Sequence, residues 1–265
     1  MPAAKVRRFD LAGKVAIVGG ASKGIGYGIA RMLASEGAIV AITARREADL
    51  ESAAAALRAE TGATVLPIAA DCRKAEDCRR VAARVQTELG GIDILVNNDG
   101  APPLGDALSF DDVAWAKAVE QNLMYVVRMV REVVPAMRLR GAGSILNITA
   151  ISAIQPIPGF SLSVATWSGV IGYAKTLSLE IAKDGINVNT ICPGYLDTTR
   201  LQKVFAAGSE PAGVVQDRLR SEIPVGRIGS VDDIAHLVAL LVSPKGSYIT
   251  GTAIQVDGGL LRATR

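Results

Sequence analysis

The sequence predicts one α/β domain built on a parallel sheet, and three observations support this fold class. Seven short apolar stretches alternate along the chain with longer stretches of helical periodicity. Unbroken apolar strands are typical of parallel sheets whose two faces are covered by helices. The chain has 265 residues, 49% of them hydrophobic and 4% aromatic, so we expect one large core of small aliphatic side chains.

The elements follow from the two periodicities. The predicted strands are 15–18, 39–43, 65–69, 94–96, 144–148, 188–191 and 253–256. The predicted helices are 25–36, 48–60, 75–88, 113–138, 163–183 and 231–241. This alternation predicts right-handed βαβ units. We find no repeat or linker, so residues 1–265 form one predicted domain.

The segment 205–221 departs from this pattern, because Gly208, Pro211 and Gly213 interrupt a short helical region. We interpret residues 199–222 as a flexible flap, a common place for a substrate lid.

Composition excludes several classes of protein. The net charge of +3 comes from 29 basic and 26 acidic residues without a basic block, which argues against nucleic-acid and anionic-membrane partners. Cys72, Cys78 and Cys192 form no CxxC pair, as is common in a reducing cytoplasm. No signal peptide or apolar run of transmembrane length is seen. We therefore expect a soluble cytoplasmic protein without a metal site.

A glycine-rich turn, residues 19–26 (GGASKGIG), follows the first predicted strand and opens the first helix. Glycines there let the backbone approach a pyrophosphate, while the helix N-terminus offers free N–H groups and a positive dipole end. A glycine-rich turn without a ligand is the alternative. The strand–turn–helix setting favours dinucleotide binding.

Further segments resemble the short-chain dehydrogenase/reductase superfamily over nearly the whole chain. Residues 19–26 resemble its TGxxxGIG motif with Gly19 in place of threonine, and residues 97–100 (NNDG) resemble its NNAG motif with Asp99 in place of alanine. Asn122 matches the asparagine of the catalytic tetrad, residues 193–198 resemble the PG…T segment, and residues 224–227 and 251–259 match the C-terminal end. Residues 155–159 (QPIPG) resemble a β-ketoacyl-reductase-like subset.

The resemblance implies a doubly wound, Rossmann-type sheet of seven parallel strands with helices on both faces. It also implies a set of cofactor-binding residues: Gly20, Ser22, Lys23, Gly24, Ile25, Gly26, Arg45, Asp71, Asn98, Gly100, Pro193, Gly194, Leu196 and Thr198. Enzymes of this kind that prefer NAD place an acid after the second strand, whereas those that prefer NADP place a base. This chain has Arg45 and Arg46 there, with Lys23 nearby. NADP(H) is therefore favoured over NAD(H), although these charges are also compatible with a solvated surface.

The catalytic tetrad departs from the family pattern. The family has Tyr-x-x-x-Lys on the helix after the fifth strand and a serine thirteen residues before the tyrosine. Residues 179–185 fix the register and place Ser163 at the tyrosine position, Trp167 at the lysine position and Ala150 at the serine position. No shifted motif restores the pattern, because the residues four positions after the tyrosines are Arg31, Met129, Leu177, Thr199 and Thr252. A serine hydroxyl exchanges protons poorly near neutral pH, and loss of a general acid typically costs about 10²–10⁴ in rate.

Other side chains keep two interpretations each. The sole histidine, His236, is expected to be a packed or surface helix residue rather than a base. Asp99 either repels a phosphate or points into solvent. Tyr125 can approach the catalytic region or pack in the core.

Apolar stripes on the two long helices suggest assembly. Val126, Val127, Val130, Val133 and Val134 form one stripe, and Val170, Ala174, Leu177 and Ile181 form the other. If the core requires only one stripe per helix, the excess indicates a homo- or hetero-oligomer, either a dimer or a tetramer.

Two functions remain. In the favoured one, the chain is a redox-inactive or assisting subunit that pairs with an active homologue, for substrates resembling 3-hydroxyacyl-CoA. In the other, it is a self-standing NAD(P)(H)-dependent 3-oxoacyl-type reductase or alcohol dehydrogenase that uses Asn122, Ser163 and Tyr195. A lyase is a distant third.

Overall fold

The computed structural model describes residues 8–100, 102–199, 201–202 and 211–263. Its seven strands are all parallel and lie in the order β3-β2-β1-β4-β5-β6-β7. Their bounds are β1 Val15–Val18, β2 Ile39–Ala44, β3 Val65–Ala69, β4 Ile94–Asn97, β5 Gly143–Ile148, β6 Ile186–Pro193 and β7 Ala253–Val256. The predicted doubly wound sheet is confirmed.

Helices connect the strands on both sides of the sheet. They are α1 Gly24–Ser35, α2 Glu47–Thr61, α3 Ala75–Leu89, α4 Asp112–Val119, α5 Tyr125–Arg140, α6 Ser161–Ile181, α7 Ala212–Glu222 and α8 Val231–Val242. Helices α1, α2 and α8 contribute to the core on one face, and α3, α5 and α6 contribute to the core on the other.

The single helix predicted over 113–138 is divided by one π-helical turn, Glu120–Met124, which joins α4 to α5. Such turns are rare and occur often at functional sites. Here the turn carries Asn122, and it sets the direction of that side chain.

The apolar stripes of α5 and α6 face the protein's own sheet. Val126, Val130, Val133, Val134, Val170, Ala174 and Ile181 are all buried in the monomer core. At these seven positions the apolar residues are therefore not surplus to the core, because periodicity identifies a buried face without identifying what covers it. Val127 and Leu177 are only partly buried, and the assembly stays a prediction. The outward face of α6 carries Ala165, Gly172 and Leu179 instead.

The predicted flap is partly helical. Pro211 precedes α7, and Gly213 lies in the first turn of that helix rather than interrupting it. Leu219 and Ile223 are buried, which fastens this end of the segment to the domain. Gly208 and the rest of 203–210 lie outside the described residues.

None of the helices that the structure describes is both long enough and apolar enough to cross a lipid bilayer.

Candidate functional site

A cleft of about 730 Å³ opens at the carboxyl ends of β1 to β4. β1 lies between β2 and β4, so the chain order reverses at this point, where open α/β sheets bind ligands. The lining residues are Gly19, Gly20, Ser22, Lys23, Gly24, Ile25, Thr43, Ala44, Arg45, Arg46, Ala70, Asp71, Cys72, Asn98, Asp99, Gly100, Tyr125, Thr198 and Thr199.

The glycine turn forms the floor of the cleft and excludes larger side chains. Gly20 has a positive φ of 57°, and a Cβ atom there would lie 2.6 Å from the Asn98 carbonyl oxygen. A Cβ atom on Gly26 would lie 2.5 Å from the Gly20 carbonyl oxygen. The turn is held to the next strand because Asn98 Nδ2 donates to the Gly19 carbonyl at 3.0 Å. Only glycine fits these positions, so the backbone can approach a bound group closely.

The start of α1 favours an anion. Its N-cap, Lys23, makes no side-chain capping bond, and its first turn contains no acidic residue. The N–H groups of this turn and the positive end of the helix dipole therefore have no anionic neighbour within the helix itself.

Two cations border this anion-favouring end. The side chains of Lys23 and Arg45 are exposed and make no hydrogen bond or ion pair with any described residue. Arg46, by contrast, is paired with Asp49. The cleft thus offers two uncommitted positive charges, a fitting environment for phosphate groups.

Asp71 lines the cleft, but its carboxylate is already paired with Arg73. Arg73 donates to both of its carboxylate oxygens, from Nε to Oδ1 at 2.7 Å and from Nη2 to Oδ2 at 2.6 Å. This bidentate contact holds the pKa of Asp71 below its usual value. Asp71 is therefore a fixed anion rather than a proton donor.

Asp99 has a different environment. It is accessible from the cleft, and its only hydrogen bond with a described residue is from the Gly100 N–H to Oδ1 at 2.7 Å. Asp99 is exposed to the cleft, but the protein atoms around it limit its hydration, and this partial desolvation raises the pKa of Asp99 despite the nearby Arg45 and Arg73. Neither arginine is close enough for an ion pair. The carboxylate is an oriented, under-solvated acceptor.

A small pocket of about 10 Å³ adjoins the cleft beyond Asp99. The two share Asp99, Gly100 and Tyr125 as lining residues. The pocket is completed by Asn122, Val126, Asn147, Ile148, Thr149, Trp167 and Val170. No lysine, arginine or histidine is among these residues. This junction pocket therefore places Asn122, the one tetrad match, beside Trp167, the residue at the lysine position.

Of the four predicted tetrad positions, only Asn122 and Trp167 line the junction pocket. Ala150 has no hydroxyl, and Ser163 is buried on α6 and lines neither the cleft nor the junction pocket. The phenol of Tyr125 lines both sites, and burial together with the Asp99 carboxylate raises its pKa well above the usual value. The junction pocket offers no cation that would lower the pKa of that phenol.

Several predicted residues lie away from the cleft wall. Gly26 supports the glycine turn from behind, and Gly194 packs against Asp257. Leu196 is buried, and Pro193 ends β6. Tyr195 is half-buried, and desolvation raises its pKa. The structure brings none of these into the lining, and the catalytic role of Ser163 and Tyr195 stays a prediction.

Some residues that line the cleft were not among the predicted site residues. Thr43 and Ala44 end β2, and Ala70 and Cys72 follow β3. Their position at the carboxyl ends of predicted strands was the signal that could have found them. His236 is exposed, and its Nδ1 lies 2.7 Å from the Asp232 carbonyl oxygen, as expected for a surface helix residue.

Comparisons with known proteins agree with this geometry. A family profile described as "Enoyl-(Acyl carrier protein) reductase" matches residues 20–261. The human protein "Dehydrogenase/reductase SDR family member 4" is 35% identical over 254 residues, covering 96% of this chain and 89% of the relative.

Solved structures give the same result. The L-sorbose reductase from Gluconobacter frateurii, complexed with NADPH and L-sorbose, superposes with a TM-score of 0.92 at 34% identity, covering 96% of this chain and 98% of that one. A variant of actinorhodin polyketide ketoreductase with NADPH gives a TM-score of 0.90 at 34% identity, covering 94% of this chain and 98% of that one. The chain belongs to the short-chain dehydrogenase/reductase family of oxidoreductases.

Proposed function

We propose that this chain binds NADP(H) but does not by itself reduce carbonyl groups at an ordinary rate, and that it assists an active homologue in a hetero-oligomer. One observation carries the proposal. The junction pocket holds Trp167 beside Asn122 and has no cation, while the adjoining cleft keeps Lys23 and Arg45 uncommitted.

The cofactor end of the cleft fits NADP(H). Glycine at positions 20 and 26 keeps the turn tight, because a Cβ atom at either position would clash with the turn itself or with Asn98. Arg45 and Lys23 would supply charge for a 2′-phosphate. Both superposed reductases were solved with NADPH, which supports the preference for NADP(H). When bound, this cofactor supplies or accepts a hydride.

Hydride transfer to a ketone leaves an alkoxide that needs a proton. In this chain Ser163 is buried away from the cleft, and a serine hydroxyl ionises too weakly to serve as a general acid near neutral pH. Asp71 is held as an anion by Arg73. The phenol of Tyr125 has a raised pKa, so the proton stays on its oxygen. None of these three side chains is therefore a proton donor suited to neutral pH, which supports the proposal.

The substrate class proposed for the assembly is an acyl thioester of the 3-hydroxyacyl-CoA kind. The matching family profile is described for an acyl carrier protein substrate, and one superposed structure is a polyketide ketoreductase. One strip on the outward face of α6 supports a partner, because Ala165 and Gly172 are small and exposed and Leu179 is 74% exposed. The same face also carries the polar residues Ser168, Lys175, Thr176 and Glu180. A self-standing oxidoreductase has less support, since neither Ser163 nor Tyr195 lines the cleft.

A mixing experiment tests this proposal. The chain is co-expressed with a homologue that has an intact Tyr-x-x-x-Lys, and the purified pair is assayed with acetoacetyl-CoA and NADPH. We expect light scattering to show a mixed oligomer whose activity per active subunit, or whose stability, exceeds that of the homologue alone. Two separate homo-oligomers with unchanged activity would reject the assisting role, and calorimetry showing no NADPH binding would reject the cofactor assignment.

A further inference from the structure

The junction pocket carries polar atoms that the family chemistry described above does not use. Asn122 is only 2% exposed. Its Nδ2 donates to Thr166 Oγ1 at 2.8 Å, and Thr166 Oγ1 in turn donates to the Leu162 carbonyl at 2.7 Å. These two hydrogen bonds fix the direction of the Asn122 side-chain amide, and its Oδ1 atom is left without a partner. A buried acceptor without a partner is uncommon and requires an explanation.

A second buried amide lines the same pocket. Asn147 Oδ1 accepts a hydrogen bond from Asn97 Nδ2 at 2.9 Å, so Asn147 Nδ2 is left without a partner. The third polar group is Asp99, whose Oδ1 is held by Gly100 and whose Oδ2 makes no hydrogen bond with a described residue. These three groups thus offer two unused acceptors and one unused donor, and the Tyr125 hydroxyl and the Trp167 Nε1–H line the same pocket without a hydrogen bond to a described residue.

This combination identifies the kind of group that fits. A hydroxyl has one donor hydrogen and two acceptor lone pairs, so it can donate to Asp99 or Asn122 and accept from Asn147. An ammonium group would leave the Asn147 donor unpaired, and a phosphate or carboxylate would be repelled by Asp99. The volume of about 10 Å³ is that of one water-sized group.

We infer that the junction pocket is a hydroxyl-binding subsite, and that it takes a hydroxyl of the cofactor's nicotinamide ribose through Asp99 and Asn122. This inference rests on the proposed binding of NADP(H). A lysine ammonium would donate hydrogen bonds to the ribose oxygens, whereas here the ribose hydroxyl donates to the protein. Asp99 and Asn122 supply the acceptors for a chain that has Trp167 in place of the lysine.

The position of the pocket supports the nicotinamide side. Asp99 lies between the cleft, with Lys23 and Arg45 at its phosphate-favouring end, and Asn122 and Trp167 at the tetrad positions. The cleft and the pocket share Asp99, Gly100 and Tyr125, so a dinucleotide held by the glycine turn and Arg45 would reach the pocket past these residues. A hydrogen-bond donor would stabilise the charged form of the Asp99 carboxylate, because desolvation is the main cause that disfavours its charge.

Calorimetry with two ligands tests the inference. NADPH and adenosine 2′,5′-bisphosphate, which lacks the nicotinamide ribose, are titrated into the wild type, Asp99→Asn and Asp99→Ala. We expect Asp99→Ala to weaken NADPH binding about tenfold, the usual value of a charge-assisted hydrogen bond, and to leave the bisphosphate unchanged. Asp99→Asn keeps an acceptor oxygen, so it should lose less NADPH affinity than Asp99→Ala.

The matched control is Asp106→Ala, since Asp106 is exposed, lines neither site, and its side chain makes no capping bond. Thermal melting checks that each variant is folded. Unchanged or tighter NADPH binding by Asp99→Ala would overturn the inference and favour phosphate repulsion. Equal weakening of both ligands would also overturn it, because Asp99 would then act on the whole cleft. If the wild type binds the bisphosphate but not NADPH, the subsite is absent, and if it binds neither, the proposed function fails and the inference fails with it.

Discussion

The cofactor end of the cleft and the adjoining junction pocket differ in how they are built. The cofactor end is formed largely by backbone, with the glycine turn, the ends of β1 to β4 and the start of α1 in close contact. The junction pocket depends more on side chains, among them Asn122 and Trp167, while Ala150 and Ser163 lie outside both linings. Backbone geometry is shared with the packing of the domain, so it is retained, whereas reactive side chains can be replaced without loss of the fold.

The strongest test of the cofactor end is Gly26→Ala. Its new Cβ atom would lie 2.5 Å from the Gly20 carbonyl and 2.7 Å from the Gly19 carbonyl, so the turn must shift. We expect NADPH affinity to fall by at least about 100-fold, because a misplaced turn loses several charge-assisted bonds of about 1.5–3 kcal/mol each. Calorimetry measures the affinity.

Gly172→Ala is the matched control for that variant. A Cβ atom at Gly172 meets nothing within 4 Å, and the residue lies inside α6. The substitution should raise the free energy of unfolding by up to about 1 kcal/mol and leave NADPH binding unchanged. A similar loss of NADPH affinity in Gly26→Ala and Gly172→Ala would show that the glycine turn does not bind the cofactor.

Arg45→Asp tests cofactor choice. Removal of the uncommitted guanidinium and introduction of a carboxylate should weaken NADPH binding about 10–100-fold and narrow or reverse the preference over NADH. Arg46→Asp should have a smaller effect, since Arg46 is already paired with Asp49. Titration of both cofactors into both variants gives the answer, and tighter NADH than NADPH binding by the wild type would contradict the role of Arg45.

Assembly is tested on the two faces of α6. Leu179→Arg, on the exposed face, should reduce the mass measured by light scattering while the melting temperature of the subunit changes little. Val170→Arg, at a position 1% exposed, should instead unfold the domain, because it buries an unpaired charge in the core. A native sample that is monomeric and well folded would remove the case for a partner.

The smallest expected effect concerns pH. Desolvation raises the pKa of Asp99, so Asp99 takes up a proton at a higher pH than an ordinary aspartate. As the pH falls through that value, the carboxylate stops accepting and NADPH binding should weaken a few-fold, with no such step in Asp99→Asn. The raised pKa also means that the charged form destabilises the fold above it, so Asp99→Asn should be slightly more stable at pH 7 and lose that advantage in acid. Parallel binding and urea curves from pH 4 to pH 8 check both signs.

The sequence predicts the sheet well and the site only in part. The strands over 15–18, 65–69 and 253–256 agree with the structure to the residue, because apolar runs and glycines mark them directly. The π-helical turn at Glu120–Met124 was missed, because a single turn is too short for the apolar pattern to distinguish it from regular helical spacing. The free Oδ1 of Asn122 and the desolvation of Asp99 depend on packing between distant segments, which no local pattern reveals.

The central claim is that the chain retains its cofactor site and has lost proton transfer, and carbonyl reduction tests it most directly. The purified chain is saturated with NADPH and assayed with acetoacetyl-CoA beside a variant carrying Ala150→Ser, Ser163→Tyr and Trp167→Lys, with melting curves for both. We predict a wild-type turnover about 10²–10⁴ below the usual enzyme median of about 10 s⁻¹ and a higher turnover in the folded variant. A wild-type turnover near about 10 s⁻¹ would contradict the account.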